Sequence, residues 1–412
     1  MKPSTALLKL CPSMTLQATA PMGQKFPNRT LGQMASIQGK NNYKLLPDAY
    51  NWILRTKEYQ AFADWSDQPS CQVLWLYGPA GTGKIMLNIG IISKTLGQSS
   101  NLTPCISYYF CQVDKPSTNS ATDVLRSLIW LLLIQQPHLF SHLRDSHKSD
   151  EAAMFNASNF YRVRNLFKAM LSDERLIPVY LVIDALDECT DEQPGVQELI
   201  SLVSDFLEIS RNSKKKIKWL LSSRPEVDVL NRLSDDKTGV VFELDVQAQE
   251  EAVDAYITHK LSQLKHELRY PKKDLEGVGA EIRKRAQDIF FWVALVFRYL
   301  FTERVPSFKA LSEVKKNPSD LSKLYRRMMA RINEADDDDK AYCKSLLEVA
   351  CFASRPLSYA EIHVLSGLPS HYSSEYIVQK CGSFLTVENT TVLVLHNSTR
   401  QFLNEYFEDK LL

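Results

Sequence analysis

The sequence predicts an α/β fold with a parallel sheet covered by helices on both faces, followed by a helical domain and a winged-helix domain. Between Val73 and Ser223, short apolar runs alternate with longer stretches of helical periodicity, as βαβ units require. From Ala248 to Ile332 the apolar residues recur only with helical period. Two further helical stretches, a two-stranded pattern and a final helix from Ser398 then follow, which is the element order of a winged-helix domain.

These patterns divide the chain into four predicted segments. Residues 1–42 are rich in Pro, Gly, Ser, Gln and Asn without sustained periodicity and predict a flexible leader. Residues 43–245 form the α/β domain with its N-terminal helices, residues 246–335 the helical domain and residues 336–412 the winged-helix domain. We interpret the acidic run Asp336–Asp339 as a solvated connector rather than a metal site.

Composition excludes several kinds of partner. A formal net charge of +1 over 412 residues gives no signature of a protein that binds nucleic acid or an anionic membrane. The eight cysteines show no C-x-x-C pair and no zinc spacing, which is typical of reduced thiols. The most apolar run, "LIWLLLI" from Leu128, is too short to span a bilayer. We therefore expect a cytoplasmic protein.

The stretch "GPAGTGKIM" has the glycines and the lysine of a phosphate-binding loop. It follows the apolar strand "VLWLY" and precedes a helical pattern, the context such a loop needs. The glycines let backbone N–H groups converge on a phosphate at a helix N-terminus, and the lysine reaches the β- and γ-phosphates. The candidate nucleotide-binding residues are Gly78, Pro79, Ala80, Gly81, Thr82, Gly83, Lys84, Ile85 and Met86.

Acidic residues and an arginine follow two later buried strands. "VYLVIDALDEC" ends a strand at Asp184, a candidate Mg²⁺ ligand, and continues to Asp187 and Glu188, which are candidates for orienting an attacking water. "KWLLSSRP" places Arg224 at the carboxyl end of another strand, where it either stabilises γ-phosphate charge or is an ordinary surface residue. We interpret the "SKKKIK" run, Ser213–Lys218, as a solvated loop before that strand. The two motifs together predict a P-loop NTPase sheet that binds ATP/ADP or GTP/GDP with Mg²⁺.

The order of these segments resembles a known family. "LWLYGPAGTGKIML", "LVIDALDEC", "KWLLSSRP", "FFWVALVF" and "CGSFLTVENTTVLVLHNSTRQFL" are similar to the NACHT module of the STAND class of P-loop NTPases. The resemblance is to the version found in fungal heterokaryon (vegetative) incompatibility proteins and nephrocystin-3-like N-terminal regions, and it covers about Tyr43 to Phe407.

The resemblance implies a switch in fungal self/non-self recognition. Such modules clamp one nucleotide, are closed with diphosphate, and open and self-associate or bind related NACHT proteins with triphosphate. The family's phosphate-contacting histidine falls on His396, whereas the residues alone leave a core histidine open. Family members usually carry an effector domain before the module and a repeat sensor after it, and we expect neither here.

Ile85 departs from the family pattern, because Thr or Ser usually follows the loop lysine and ligates Mg²⁺. We expect binding of the diphosphate to survive and Mg²⁺-dependent triphosphate binding and hydrolysis to be slow or lost. The alternative is a non-hydrolysing interaction module, a degenerate NACHT fragment that acts only by binding related proteins. A P-loop kinase is disfavoured because the sequence has no arginine-bearing lid insertion.

Overall fold

The chain forms two compact units. The computed structural model describes residues 50–65, 71–79, 81–96, 104–111, 120–146, 160–189, 194–211, 217–225, 227, 239–243, 246–286, 289–353, 355–388 and 390–408. The first unit includes Ile53–Pro79 and Lys84–Leu244, and the second includes Ala80–Gly83 and Asp245–Leu412. The predicted leader, residues 1–42, lies outside the described residues.

The first unit contains a five-stranded sheet in which every described pairing is parallel. Its strands are β1 (Val73–Tyr77), β2 (Cys105–Phe110), β3 (Val179–Asp184), β4 (Ile217–Ser223) and β5 (Gly239–Glu243). The strand order is β2-β3-β4-β1-β5, so β1 lies between β4 and β5. Every residue of β3 and of β4 is buried, as in a parallel sheet with both faces covered. The predicted parallel α/β class is confirmed, although sequence reasoning did not single out the short strand β5.

Helices precede and connect these strands. They are α1 (Lys57–Ala63), α2 (Lys84–Leu96), α3 (Ala121–Gln135), α4 (Phe140–Ser146), α5 (Phe160–Leu171) and α6 (Val196–Arg211). Helix α3 contains the apolar run "LIWLLLI" and begins with a capping box between Ser120 and Asp123. Its apolar side chains belong to the core that also holds Phe167 and Trp219, whose rings meet edge to face. Among the described residues, no helix is both long and apolar enough to cross a bilayer.

The described residues between Val246 and Asn333 form five helices, as the helical periodicity predicts. They are α7 (Val246–Glu267), α8 (Lys272–Ala286), α9 (Phe290–Thr302), α10 (Ser307–Lys316) and α11 (Leu321–Asn333). Helix α9 is the most apolar of them and is buried over most of its length. The Trp292 indole in α9 donates to the Pro318 carbonyl at 2.7 Å, which holds this helix against the connection between α10 and α11.

The C-terminal part combines helices with a small antiparallel sheet. Its elements are α12 (Asp337–Phe352), β6 (Leu357–Ser358), α13 (Tyr359–Leu365), α14 (Ser374–Lys380), β7 (Leu385–Glu388), β8 (Thr391–Val394) and α15 (Asn397–Glu408). The sheet order is β6-β8-β7. The two-stranded pattern is confirmed as β7 and β8, whereas α14 and the two-residue β6 were not predicted. The winged-helix assignment and the boundary at residue 336 stay predictions.

The acidic run was interpreted wrongly as a connector. Asp337, Asp338 and Asp339 form the first turn of α12, where carboxylates are favoured by the helix dipole. Asp339 is buried and accepts a hydrogen bond from the Tyr376 hydroxyl at 3.0 Å, and Lys380 lies 3.4 Å away. The acidic run therefore begins a helix.

Candidate functional site

The loop between β1 and α2 has the backbone curl that a phosphate site needs. The Gly78 N–H donates to the Ser223 carbonyl at 3.4 Å, which keeps the start of the loop beside the end of β4. Gly81 and Gly83 have φ values of +82° and +88°, in the left-handed region that only glycine adopts freely. Within the second unit, a Cβ on Gly81 would also lie 3.1 Å from Phe291 Cβ. Ala80 lies outside the described residues.

Lys84 begins α2 and turns back over the loop. Its Nζ donates to the Gly78 carbonyl at 2.5 Å and to the Pro79 carbonyl at 2.9 Å. Burial lowers the pKa of Lys84, and the carboxylates of Asp187 and Asp184 oppose this shift. The ammonium group thus donates to two neutral carbonyls and lies near two acids. An anionic phosphate would accept from it more strongly than these carbonyls do.

Asp184 ends β3 as a buried carboxylate. Its Oδ1 accepts from the Ser222 hydroxyl at 2.5 Å and from the Asn88 side-chain amide. Burial raises the pKa of Asp184 to about 6, and the hydrogen bonds from Ser222 and Asn88 and the charge of Lys84 oppose the shift. The next residue, Ala185, has a φ of +56° and turns the chain away from the strand. The carboxylate therefore has a fixed position at the carboxyl edge of the sheet.

Asn88 and Ser222 are the site residues that sequence reasoning missed. Asn88 is the amide in the otherwise apolar run "IMLNIGII", and Ser222 ends the apolar run of β4. A polar residue inside an apolar run is a signal of a buried hydrogen bond. The sequence does not show which partner each residue meets.

Asp187 and Glu188 lie in the 3₁₀ turn Leu186–Glu188 that follows β3. Asp187 Oδ1 accepts from the Arg224 backbone N–H at 3.0 Å, and its Oδ2 lies 3.0 Å from Arg224 Nε. The Arg224 side chain is 23% exposed. Its strand, β4, pairs directly with β1, as expected of a residue beside the nucleotide strand. Its contact with a phosphate stays a prediction.

Ile85 and Met86 occupy the first turn of α2 after the lysine. Ile85 is half-buried and Met86 is buried. Among the described residues, no group of three or more His, Cys, Asp or Glu side chains could hold a metal ion. Mg²⁺ is commonly held by one or two carboxylates together with substrate phosphates and waters, and Asp184 is the carboxylate that fits this role.

His396 lies in the second unit, between β8 and α15. Its Nδ1 accepts from the Ser398 backbone N–H at 3.1 Å, which favours the tautomer with the proton on Nε2. The ring stacks on Phe291 with centroids 4.2 Å apart. The predicted position at the start of a helix is confirmed, and the predicted contact with nucleotide phosphates stays a prediction.

The parallel sheet, the glycine loop between β1 and α2, and the acid at the end of β3 define the fold of a P-loop NTPase. Residues 48–224 match the family described as Nephrocystin 3, N-terminal. The chain is also similar to the vegetative incompatibility protein HET-E-1 of Podospora anserina, with 34% identity over 374 residues, 89% of this chain and 26% of that protein. The chain thus spans about a quarter of the length of this relative. These matches confirm the predicted resemblance and support a NACHT-type, HET-E-like protein.

Two solved structures have weaker similarity. A STAND protein with a tetratricopeptide repeat sensor from Pyrococcus horikoshii has a TM-score of 0.43 at 13% identity, over 82% of this chain and 40% of that chain. The Aeropyrum pernix ORC1 protein in complex with DNA has a TM-score of 0.34 at 12% identity, over 98% of each chain. These scores are too low to support a conclusion about this chain.

Proposed function

We propose that this chain binds ATP/ADP or GTP/GDP at Gly78–Met86 and works as a NACHT-type signalling switch. The observation that carries the proposal is the position of Lys84, whose Nζ lies over the loop carbonyls of Gly78 and Pro79. Asp184 and Asp187 are close enough to act on its pKa. A phosphate entering the loop would exchange the two neutral acceptors for a charged one, which forms the stronger hydrogen bond.

The nucleotide content of the purified protein tests this proposal. Denaturation followed by chromatography should release close to one nucleotide per chain and identify its base. Lys84→Ala should remove it, because the variant lacks the cation that faces the phosphates. Lys94→Ala is the matched control, since Lys94 is an exposed lysine on the same helix. Undiminished nucleotide in Lys84→Ala would contradict the proposal.

Mg²⁺ would be held by Asp184, the phosphates and water. Mg²⁺ supplies charge neutralisation between the β- and γ-phosphates when it is bound. Ile85 brings no hydroxyl to this position, so we propose that Mg²⁺ is held weakly and that hydrolysis is impaired. The engagement of Asp187 by Arg224 supports this, because a carboxylate bound to a guanidinium is a poor partner for an attacking water.

The signalling role rests on similarity. We propose that the switch acts in fungal self/non-self recognition, supported by the likeness to a vegetative incompatibility protein. Its partners would be further copies of this chain or related NACHT proteins. Light scattering with size separation should show a larger assembly with a non-hydrolysable triphosphate than with the diphosphate. An identical mass in both states would contradict the switch.

The second candidate function is a non-hydrolysing interaction module. Ile85 favours it, because the residue removes a direct Mg²⁺ ligand without disturbing the glycine curl or Lys84. Turnover of radiolabelled triphosphate in the presence of Mg²⁺ distinguishes the two functions. Measurable turnover that needs Asp184 supports the switch, whereas bound nucleotide without turnover supports the interaction module.

A further inference from the structure

The Asn88 side chain lies one helical turn beyond Ile85 and reaches the acid at the end of β3. Residues three apart on a helix share a face, so Asn88 points to the same side of α2 as position 85. Its Nδ2 donates to Asp184 Oδ1. Position 85 itself brings no hydroxyl to this carboxylate. The amide of Asn88 therefore supplies a hydrogen bond to the carboxylate from the helix that follows the loop.

The oxygen of the same amide is unpaired within the part of the chain that the structure describes. Asn88 is fully buried, and its Oδ1 lacks a hydrogen-bond partner among the described residues. Because Asp184 is an acceptor when ionised, the amide must turn its NH₂ toward the acid and its oxygen away from it. A buried carbonyl oxygen without a donor is unfavourable and uncommon in native proteins. A simple packing role explains Nδ2 but leaves Oδ1 unexplained.

The carboxylate that accepts from the NH₂ of this amide is the candidate Mg²⁺ ligand. Asp184 Oδ1 accepts from both Asn88 and Ser222, so the described donors to this carboxylate meet at one oxygen. Mg²⁺ prefers oxygen ligands and usually keeps several of its waters. Those waters are strong donors, and an amide oxygen is an acceptor of the type that orients them. The orphaned Oδ1 and the fixed acid thus fit a hydrated Mg²⁺.

We propose that Asn88 takes over part of the role of the missing hydroxyl, as a positioning residue for Mg²⁺. Its NH₂ holds Asp184 in place, and its Oδ1 accepts from a water of the bound ion. This inference rests on the proposed nucleotide site and adds a residue to it. It explains how a chain with Ile85 holds Mg²⁺ without a hydroxyl ligand at position 85.

The test compares nucleotide affinity with Mg²⁺ and with EDTA. For wild type, the affinity for a fluorescent diphosphate should be higher with Mg²⁺. Asn88→Leu should reduce the ratio of the two affinities by about 10-fold or more, as loss of an outer hydrogen-bond partner does at other metal sites. Thr95→Val is the matched control, because Thr95 is a buried polar residue of the same helix and its hydroxyl donates to the Ile91 carbonyl at 2.9 Å. Its ratio should equal that of wild type.

A second readout observes the ion directly. The electron paramagnetic resonance signal of free Mn²⁺ falls as the ion binds, so a titration in the presence of diphosphate gives the dissociation constant of Mn²⁺, which should rise about 10-fold or more in Asn88→Leu. Ile85→Thr combined with Asn88→Leu should restore the Mg²⁺ ratio, because the hydroxyl returns to the position whose role Asn88 shares. The melting temperature without nucleotide shows whether each variant folds.

The outcomes separate the inference from the proposed function. No nucleotide binding by folded wild type, in either buffer, would overturn the proposed function and the inference together. Two results would overturn the inference alone. One is a diphosphate affinity of wild type that does not change with Mg²⁺. The other is an equal loss of diphosphate affinity in Asn88→Leu with Mg²⁺ and with EDTA. Failure of Ile85→Thr to rescue folded Asn88→Leu would also overturn it, because the two positions would then not share a role.

Discussion

Arg224 and Asp187 form a two-point contact, with Arg224 Nε 3.0 Å from Asp187 Oδ2 and the Arg224 backbone N–H 3.0 Å from Asp187 Oδ1. The contact ties the turn after β3 to the residue that follows β4. It also pairs the positive charge of Arg224, which is predicted to act on the γ-phosphate, with the negative charge of Asp187, which is predicted to orient the attacking water. A phosphate that attracts Arg224 must therefore compete with Asp187.

This competition predicts a selective effect of Arg224→Ala. The affinity for a non-hydrolysable triphosphate should fall about 10-fold, the scale of one charge-assisted hydrogen bond, while the affinity for diphosphate changes little. Arg175→Ala is the control, because Arg175 forms a comparable 2.8 Å pair with Asp173 on the exposed surface of the same unit. Isothermal titration measures both ligands. An equal loss of affinity for triphosphate and for diphosphate would contradict this prediction. The Arg224–Asp187 pair would then only hold together the segments that follow β3 and β4.

His396→Ala should accelerate release of bound diphosphate. If the His396 ring donates to a phosphate, its removal costs about 1.5–3 kcal/mol, which corresponds to roughly 10- to 100-fold in the release rate. His363→Ala is the control, since His363 Nδ1 lies 3.1 Å from a serine hydroxyl in the same unit. Stopped-flow displacement of a fluorescent diphosphate gives the rates. Unchanged release from a folded variant would leave His396 as a ring that packs on Phe291.

The sequence predicts those parts of the site that depend on local backbone. A glycine-rich turn followed by Lys84 at a helix start is typical of a phosphate-binding loop. An apolar strand that ends at Asp184 places this carboxylate at the carboxyl edge of the sheet. Arg224 was expected beside the nucleotide strand, and β4 does pair with β1. The bonds from Asn88 and Ser222 to Asp184 were not predictable, because they depend on the approach of three elements that are distant in sequence.

Lys218 was expected in solvent but is buried. The basic run Ser213–Lys218 was interpreted as a solvated loop, yet Lys218 lies in β4 and is 1% exposed. Its Nζ donates to the Phe62 and Asp64 carbonyls at the end of α1 and lies 4.9 Å from the centre of the Trp65 ring. Charge runs favour solvent on average, but a helix C-terminus offers carbonyls that satisfy a buried ammonium group. The sequence did not indicate this contact, because Asp64 is 154 residues away from Lys218.

Lys218 predicts a pH dependence of stability. Burial lowers its pKa from 10.5 to about 8. Between these values the unfolded chain binds a proton that the folded chain does not, so this residue makes stability rise with pH by at most about 1.4 kcal/mol per unit. The difference in melting temperature between wild type and Lys218→Met should therefore grow in favour of wild type from about pH 8 upward. Lys94→Met, an exposed control, should show no such trend, and a flat difference for Lys218→Met would contradict the assignment.

Ile85→Thr should raise the rate of Mg²⁺-dependent triphosphate hydrolysis. The threonine hydroxyl would restore a direct ligand for Mg²⁺, and the ion supplies charge neutralisation at the phosphates when it is bound. One well-placed electrostatic group at a transition state is worth about 3–4 kcal/mol, or roughly 10²–10³ in rate, by analogy with the removal of an oxyanion-hole donor. Mg²⁺-dependent triphosphate affinity and turnover should therefore rise together.

Two further variants make this test specific to the hydroxyl. Ile85→Val keeps the β-branched shape without the hydroxyl and should behave as wild type, so a gain shared by valine and threonine would point to side-chain volume instead. Asp184→Asn in the Ile85→Thr background should cancel the gain, because the ion loses its carboxylate while the loop and Lys84 remain. Single-turnover measurements with radiolabelled ATP and GTP give the rates for all four proteins. If wild type already hydrolyses either triphosphate as fast as Ile85→Thr, then the residue after Lys84 does not limit the reaction, and Mg²⁺ must be held adequately without a hydroxyl at position 85.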